Sequence, residues 1–550
     1  MDYFDLGEYG RKITTTSPDA QTWFDRGLNW TFGYNHGEAV SCFKKAIEAD
    51  PSCAMAYWGL AYAVGPNYNL PWHRLDPKGR ARALEAAYDA TEGALGNLDG
   101  VTAFERSMIE ALRARYPQRE PIEDLRPWDK DFTNTMREVL RQYPDDLEAR
   151  TVFVEAIMNE TPWKMWDLPT GRIAEGAGTA EAREVLESAF RDLPGSWNHP
   201  GMLHLYVHLM EMSPFPELAL RAGDRLREIV PDSGHLTHMP THIDVLCGNY
   251  RDVVVYNQKA IVADREYLKR EGAMNVYTMY RTHNFHFVIY GAMFLGQYTP
   301  AIEAAQELID TMPEEVLRIP SPPMADFLEG YLPMKQHVLV RFGKWNEILE
   351  QDLPEDQELY CSTTAMMLYA KCVAHSALGN VAEAEATKEA FLAAKALVPD
   401  TRRVHNNILP DLLNVAEAML NGELEYRRGN YDAAFAHLRN SVELDDNLPY
   451  DEPWGWMQPA RHALGALLME QGHFEEAEAV YRADLGLDKT LSRACQHPGN
   501  LWSLHGLHEC LVRRGETVES MHIKQQLDQA LARAEVEVHA SCYCRQKAAA

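Results

Sequence analysis

The sequence predicts an all-α solenoid built from paired helices, with a concave groove. Three observations lead there. A segment near the N-terminus carries small, aromatic and proline residues at fixed offsets. A glycine-x-aromatic turn followed by alanine recurs down the chain. And 550 residues are more than one compact core usually absorbs, whereas stacked repeats each bury their apolar face on a neighbour.

The first hairpin, TWFDRGLNWTFGYNHGEAVSCFKKAIEADP, places Gly27, Ala39, Phe43, Ala46 and Pro51 at offsets 0, 12, 16, 19 and 24. Small residues sit where two helices would touch, and proline ends the second helix. A second hairpin opening at Ala54 has Tyr57 and Leu60 in the matching places. The turn recurs at Gly248-Asn-Tyr250, Gly296-Gln-Tyr298, Gly429-Asn-Tyr431 and Gly472-His-Phe474, the last three followed by Ala301, Ala434 and Ala477. These offsets resemble the tetratricopeptide signature over nearly the whole chain. The resemblance implies about a dozen hairpins in a right-handed superhelix. The period is irregular: starts at Pro200 and Gly234 are 34 residues apart, and the next, Thr282, follows 48 later. Pro/Trp-rich inserts fall at 65–73, 161–172, 319–327 and 447–459. With no low-complexity linker in view, residues 1–540 are expected to form one continuous superhelix without sheet. Residues 541–550 are expected to be a C-terminal tail, its last residues, CRQKAAA, frayed.

The formal charge is −28 and the pI about 5.2. An acidic surface repels phosphate backbones and anionic lipid, so neither nucleic acid nor a membrane is an expected partner. The N-terminus has no apolar run behind a basic start, and no stretch of 18 apolar residues occurs, so a cytoplasmic protein is expected. Nine cysteines at no metal-like spacing read as reduced thiols; Cys542-Tyr-Cys544 is the one close pair.

The histidines carry the functional signal. Number each repeat so that the turn glycine is position 15. Positions 2, 5 and 9 of a first helix then share one face, which in tetratricopeptide proteins looks into the groove. The repeat at Pro200 puts His204 and His208 at positions 5 and 9. The repeat at Gly234 puts His235, His238 and His242 at 2, 5 and 9. The repeat at Thr282 puts His283, His286 and Tyr290 there, and the next puts His337 at position 9. Seven histidines and a tyrosine thus converge from three adjacent helices, in a register set by Gly, Ala and Pro alone. Pro240 leaves one alternative: as the first residue of a shorter helix, it would place His235 and His238 on the preceding loop.

Imidazole is the commonest transition-metal ligand, and i, i+4 spacing, as in His204/His208 and His238/His242, lets one helix supply two. A nitrogen-rich set with few carboxylates points to copper or zinc first and iron or nickel next, and three histidines leave an open coordination position. Tyr290 and His337 are expected at the rim as acid/base or hydrogen-bonding groups. Groove residues lie outside the inter-helix core, so their removal is expected to cost little stability. Glu148 and Glu155 fall at positions 2 and 9 of an earlier repeat and are acid/base candidates, although exposed helix glutamates are the commoner case. His505 is placed on the groove face, with His508 and Cys510 in packing positions. Trp58, Tyr62, Trp454 and Trp456 are candidates for an apolar wall or simple packing. No GxSxG, Walker or dinucleotide fingerprint stands in a fitting context.

Two runs, HPGMLHLYVH (199–208) and GHLTHMPTH (234–242), resemble HPGxLHxYxH and GHLxHMPxH in a group of bacterial and fungal tetratricopeptide proteins. That resemblance implies no activity. The wider family implies a scaffold that holds peptides in its groove, usually through Lys, Arg and Asn; here those positions are imidazoles. The sequence therefore predicts a metal-dependent enzyme acting on a small molecule, with a lean to oxidoreductase chemistry. A non-catalytic scaffold for protein partners, a zinc hydrolase or lyase, and a metal carrier or sensor stand as alternatives.

Overall fold

The first helices show why the chain folds as hairpins. In the computed structural model, which describes residues 3–545, Ser17 caps helix α1 (Pro18–Phe32) by accepting from the Ala20 N–H, with Pro18 in the first turn. Asn35 caps α2 (His36–Ala49) through the Glu38 N–H, and α3 (Ala54–Val64) follows. A Cβ on Gly27 of α1 would lie 2.8 Å from the Phe43 ring, and one on Gly59 of α3 only 2.3 Å from it. Phe43 is thus clamped between glycines of its own hairpin and of the next. The same clamp recurs at Tyr481, where Cβ atoms on Gly465 and Gly506 would come within 2.5 and 2.2 Å of the ring. Spacing by 16 residues within a hairpin (27 to 43, 465 to 481) is the physical content of the repeat signature. The chain is an all-α fold of packed helical hairpins.

The chain divides into two compact units. The first runs from the N-terminus to Ile243 and adds Lys259–Arg281; the second is Asp244–Gln258 with Thr282 onward. In the first unit, α4 (Pro77–Leu95), α5 (Ala103–Arg115), α6 (Arg126–Gln142), α7 (Leu147–Asn159), α8 (Thr179–Asp192), α9 (Pro200–Glu211), α10 (Leu220–Ile229) and α11 (Gly234–His238) continue the array. The segment before α1 is stitched down: Leu6 and Ile13 are buried, and Trp30 donates to the Tyr3 hydroxyl at 2.9 Å while Tyr3 donates to Glu38 at 2.7 Å.

The second unit is organised around one buried carboxylate. Asp484 accepts from His462 Nε2 (3.0 Å), His497 Nδ1 (2.8 Å), Asn500 Nδ2 (2.9 Å) and Ser503 Oγ (2.6 Å). Burial works against its charge, but His462 and His497 outweigh that and hold its pKa well below the carboxylate range. The His497-Pro-Gly499 turn is therefore bound to the helix before it, and Asn500 caps the helix Leu501–Arg514 that follows.

Three expectations change. Two short antiparallel ladders exist, Trp166–Asp167 with Arg172–Ile173 and Arg403–Val404 with Asn407–Ile408, both within inserts between helices. The tail is held through Arg545, inside the run expected to fray: Ser541 Oγ donates to the His462 carbonyl at 2.7 Å, and Arg545 forks onto Glu509 at 2.7 and 2.9 Å. Residues 546–550 of the CRQKAAA run lie outside the described residues. Cys542 and Cys544 are joined as a disulfide rather than held as reduced thiols. Among the described residues no helix is long and apolar enough to cross a membrane.

The Phe43 clamp yields a sign test. Glycine to alanine in an ordinary helix stabilises by about 0.5–1 kcal/mol. Gly59→Ala is expected to destabilise by about 1–3 kcal/mol through overpacking, read as a lower midpoint in urea unfolding. A stabilised variant would contradict the clamp.

Candidate metal centre

Close backbone approach builds the site. His199 caps α9 by accepting from the Met202 N–H at 3.2 Å, with Pro200 as first helical residue. This is the local reason for the HPG sequence. A Cβ on Gly201 would lie 2.6 Å from the Phe32 ring, so α9 passes against the C-terminal end of α1. A Cβ on Gly33 would meet Ser233 Oγ at 2.7 Å, so the start of α11 reaches the same place. Ser233 caps α11, and Pro240 opens the next short helix, Pro240–Leu246. The alternative raised by Pro240 is thus half met: the helix breaks there, yet His235 and His238 stand on a helical turn rather than a loop.

Five of the predicted ligands come together in the first unit. His204, His208 and His235 each offer a nitrogen within 4.8 Å of the others. Their rings are 4.7 Å (His204–His208) and 4.9 Å (His204–His235) apart. His238 and His242 adjoin them, at 5.8 Å from His235 and 6.2 Å from His208. All five are between 0 and 3% exposed. They do not line an open groove, and the expectation that removal costs little stability falls with it. The face argument was sound, but Tyr34 and Tyr68 pack over the imidazoles, with ring centres 4.5 Å from His204 and 4.8 Å from His208.

Hydrogen bonds set the proton positions. His204 Nδ1 donates to the Phe32 carbonyl at 2.7 Å, so its Nε2 carries the lone pair. Glu211, fully buried, accepts from His208 Nδ1 at 2.9 Å and from His242 Nδ1 at 2.8 Å. Both of those rings therefore turn an unprotonated Nε2 the other way. His242 Nε2 in turn accepts from His238 Nε2 at 2.8 Å. Nε2 of His204 and Nε2 of His235 are buried and have no hydrogen-bond partner. Desolvation pushes the pKa of His204 down to about 3 and that of His235 well below the usual value, the latter aided by its histidine neighbours. Burial thus favours the neutral form of His204 and His235.

Sequence reasoning missed Glu211 and misjudged the two glutamates on α7. Glu211 stands three residues after His208, on the same helical face, and that spacing was its signal. Glu148 is not an exposed acid/base group; it is buried and ion-paired to Arg11, with Tyr9 donating to it. Glu155 is also buried and accepts from the Tyr62 hydroxyl. Burial raises its pKa against the pull of Tyr62 and Arg115.

The remaining predicted residues belong to the second unit. His283 and His286 have ring centres 5.9 Å apart, and His286 Nε2 lies 2.9 Å from Met457 Sδ. His405, absent from the predicted set, stands 5.5 Å from His283 and pairs with Asp451. His337 packs edge-on to Trp456 at 4.9 Å, and Tyr290 stacks near Phe294 at 4.5 Å. Tyr290 and His337 are 1% and 5% exposed, so neither sits at a rim. Burial raises the Tyr290 phenol well above its usual pKa and lowers His337 to about 3. Trp58, Tyr62, Trp454 and Trp456 are all buried packing residues, and His505 is half-buried.

No family model matches the chain, and no curated protein matches it. Among solved structures it is similar to the Cut9–Hcn1 hetero-tetramer of the APC/C (12% identity, 90% of this chain and 76% of that one, TM-score 0.31). It is also similar to human IFIT1 with a capped RNA (12%, 94% and 96%, TM-score 0.32) and to yeast Tom70 (10%, 94% and 96%, TM-score 0.27).

The depressed histidines set the pH dependence of the metal-free protein. Unfolded imidazoles take up protons below about pH 6.5, whereas folded His204 does so only near 3. Stability therefore falls as pH drops through that window. His204→Asn/His235→Asn should flatten the dependence by up to about 1.4 kcal/mol per pH unit for each residue removed. Urea unfolding between pH 6.5 and 4 measures it; an unchanged slope would contradict neutral burial.

Proposed function

We propose that the first unit carries a transition-metal centre ligated by His204, His208 and His235, and that the protein is a metal-dependent enzyme acting on a small organic molecule. The observation that carries this reading is the pair of buried, unpartnered Nε2 atoms of His204 and His235 in a three-histidine group of ligand spacing. A buried unsatisfied polar atom costs about 1–3 kcal/mol, and a repeat protein that only binds partners has no use for that cost. A metal ion turns it into bonds. Glu211 supports the reading as a carboxylate that orients a ligand ring and raises its basicity.

Three neutral nitrogens leave at least one position open, as catalytic sites do. The donor set suits copper or zinc first and iron next, with redox chemistry favoured over hydrolysis. When bound, the metal supplies Lewis acidity or electron transfer at that open position. The chain's own residues set the rest: Phe32 and Glu211 fix the rings, burial excludes water, and the Glu155 carboxyl stands close to Tyr34. His238 and His242 serve to orient the ligands or hold a second ion.

The second reading is a scaffold for protein partners. The helical-hairpin array itself favours it, since such arrays offer extended surfaces. Metal analysis separates the two. Untagged protein should hold about one copper, zinc or iron per chain after dialysis, and His204→Ala/His208→Ala should hold at least ~10-fold less. Wild-type protein that stays metal-free when offered these ions would sink the enzyme reading and leave the scaffold.

A further inference from the structure

Eight hairpin turns share one backbone form. In seven, the residue two before the second helix is a glycine in the left-handed region: Gly248, Gly296, Gly343, Gly379, Gly429, Gly472 and Gly515, with φ from 62 to 82°. In the turn between α1 and α2 that position is Tyr34, at φ 54°. The hydrogen bonds are the same. Tyr34 N–H donates to Thr31 O and Asn35 N–H to Trp30 O, both at 3.0 Å, as Gly296 N–H does to Met293 O (3.2 Å) and Gln297 N–H to Ala292 O (2.9 Å). A tyrosine pays in backbone strain for a conformation that glycine adopts freely, and such strain concentrates where a side chain is needed.

The side chain shows what it is needed for. Tyr34 is 4% exposed. Its ring lies against all three candidate ligands, at 4.5 Å from His204, 5.9 Å from His208 and 5.6 Å from His235, stacked on the last two. Its hydroxyl is buried with no partner at full hydrogen-bond geometry, and the Glu155 carboxyl beside it is a weak acceptor at most, already taken by the Tyr62 hydroxyl. A phenol that only filled space would be served as well by phenylalanine, without the cost of an unsatisfied hydroxyl.

We propose that Tyr34 is a ligand-contacting residue of the histidine centre, its O–H the hydrogen-bond donor to a small anion seated at the open coordination position. The proposal rests on the metal-centre reading and narrows its substrate to one that presents an anionic oxygen or nitrogen to the metal.

The test uses full-length protein loaded with cobalt(II), with azide as the anion probe. Cobalt content is measured first, then azide is titrated by visible absorption in wild type and Tyr34→Phe. The expected result is one cobalt per chain in both and an azide Kd about tenfold weaker in the variant, the loss of one hydrogen bond to a charged group. The metal-free melting temperature should stay within about 2 °C, because the Glu155 carboxyl beside the hydroxyl keeps its bond from Tyr62. Equal azide affinity at equal cobalt content overturns the role of Tyr34 and leaves the metal centre standing. So does a wild type that binds cobalt but not azide, or a Tyr34→Phe variant that melts early or fails to fold. Wild type that takes up no cobalt overturns both.

Discussion

One carboxylate orders the candidate centre. Glu211 has no exposed surface, and each of its oxygens accepts from a different imidazole, His208 on its own helix and His242 on the helix begun by Pro240. That single group fixes two tautomers, and through the His242–His238 contact a third. Without it the rings would be free to turn, and the unprotonated nitrogens would have no common direction. Burying a carboxylate is expensive unless its lone pairs are used, and here both oxygens accept from imidazole N–H groups.

Asp484 plays the corresponding part in the second unit, with a different result. Its four donors come from His462, His497, Asn500 and Ser503, and Arg341 donates to the remaining nitrogen of His462. That network is closed: the imidazoles spend their nitrogens on protein partners. The His204–His208–His235 group differs: Nε2 of His204 and of His235 are left without a protein partner where the three rings converge. Two similar HPG sequences, at 199–201 and 497–499, therefore open helices of different use. The motif specifies a helix start, and the residues around it decide the chemistry.

Much of this was legible in the sequence because register is set by packing. Gly27 and Phe43, or Gly465 and Tyr481, must meet across each hairpin, and that requirement alone phases His204, His208, His235, His238 and His242 onto facing surfaces. What the register could not carry was depth. A repeat pattern describes one hairpin and its neighbours, so it predicts an open groove. It does not describe Tyr34 and Tyr68, which cover the histidines from a turn and an insert. Tyr290 and His337 were expected at a rim for the same reason and are buried instead. Tyr34 did leave a trace, as the one turn among eight in which glycine is missing from its place, visible only once the left-handed backbone of the other seven is known.

The account depends on a metal seated among three particular nitrogens, and anomalous diffraction from crystals of metal-loaded protein tests that directly. The predicted result is a peak at the absorption edge of the loaded metal, about 2.0–2.1 Å from one nitrogen each of His204, His208 and His235. A peak elsewhere in the molecule, or none in crystals soaked with copper and zinc, would contradict it.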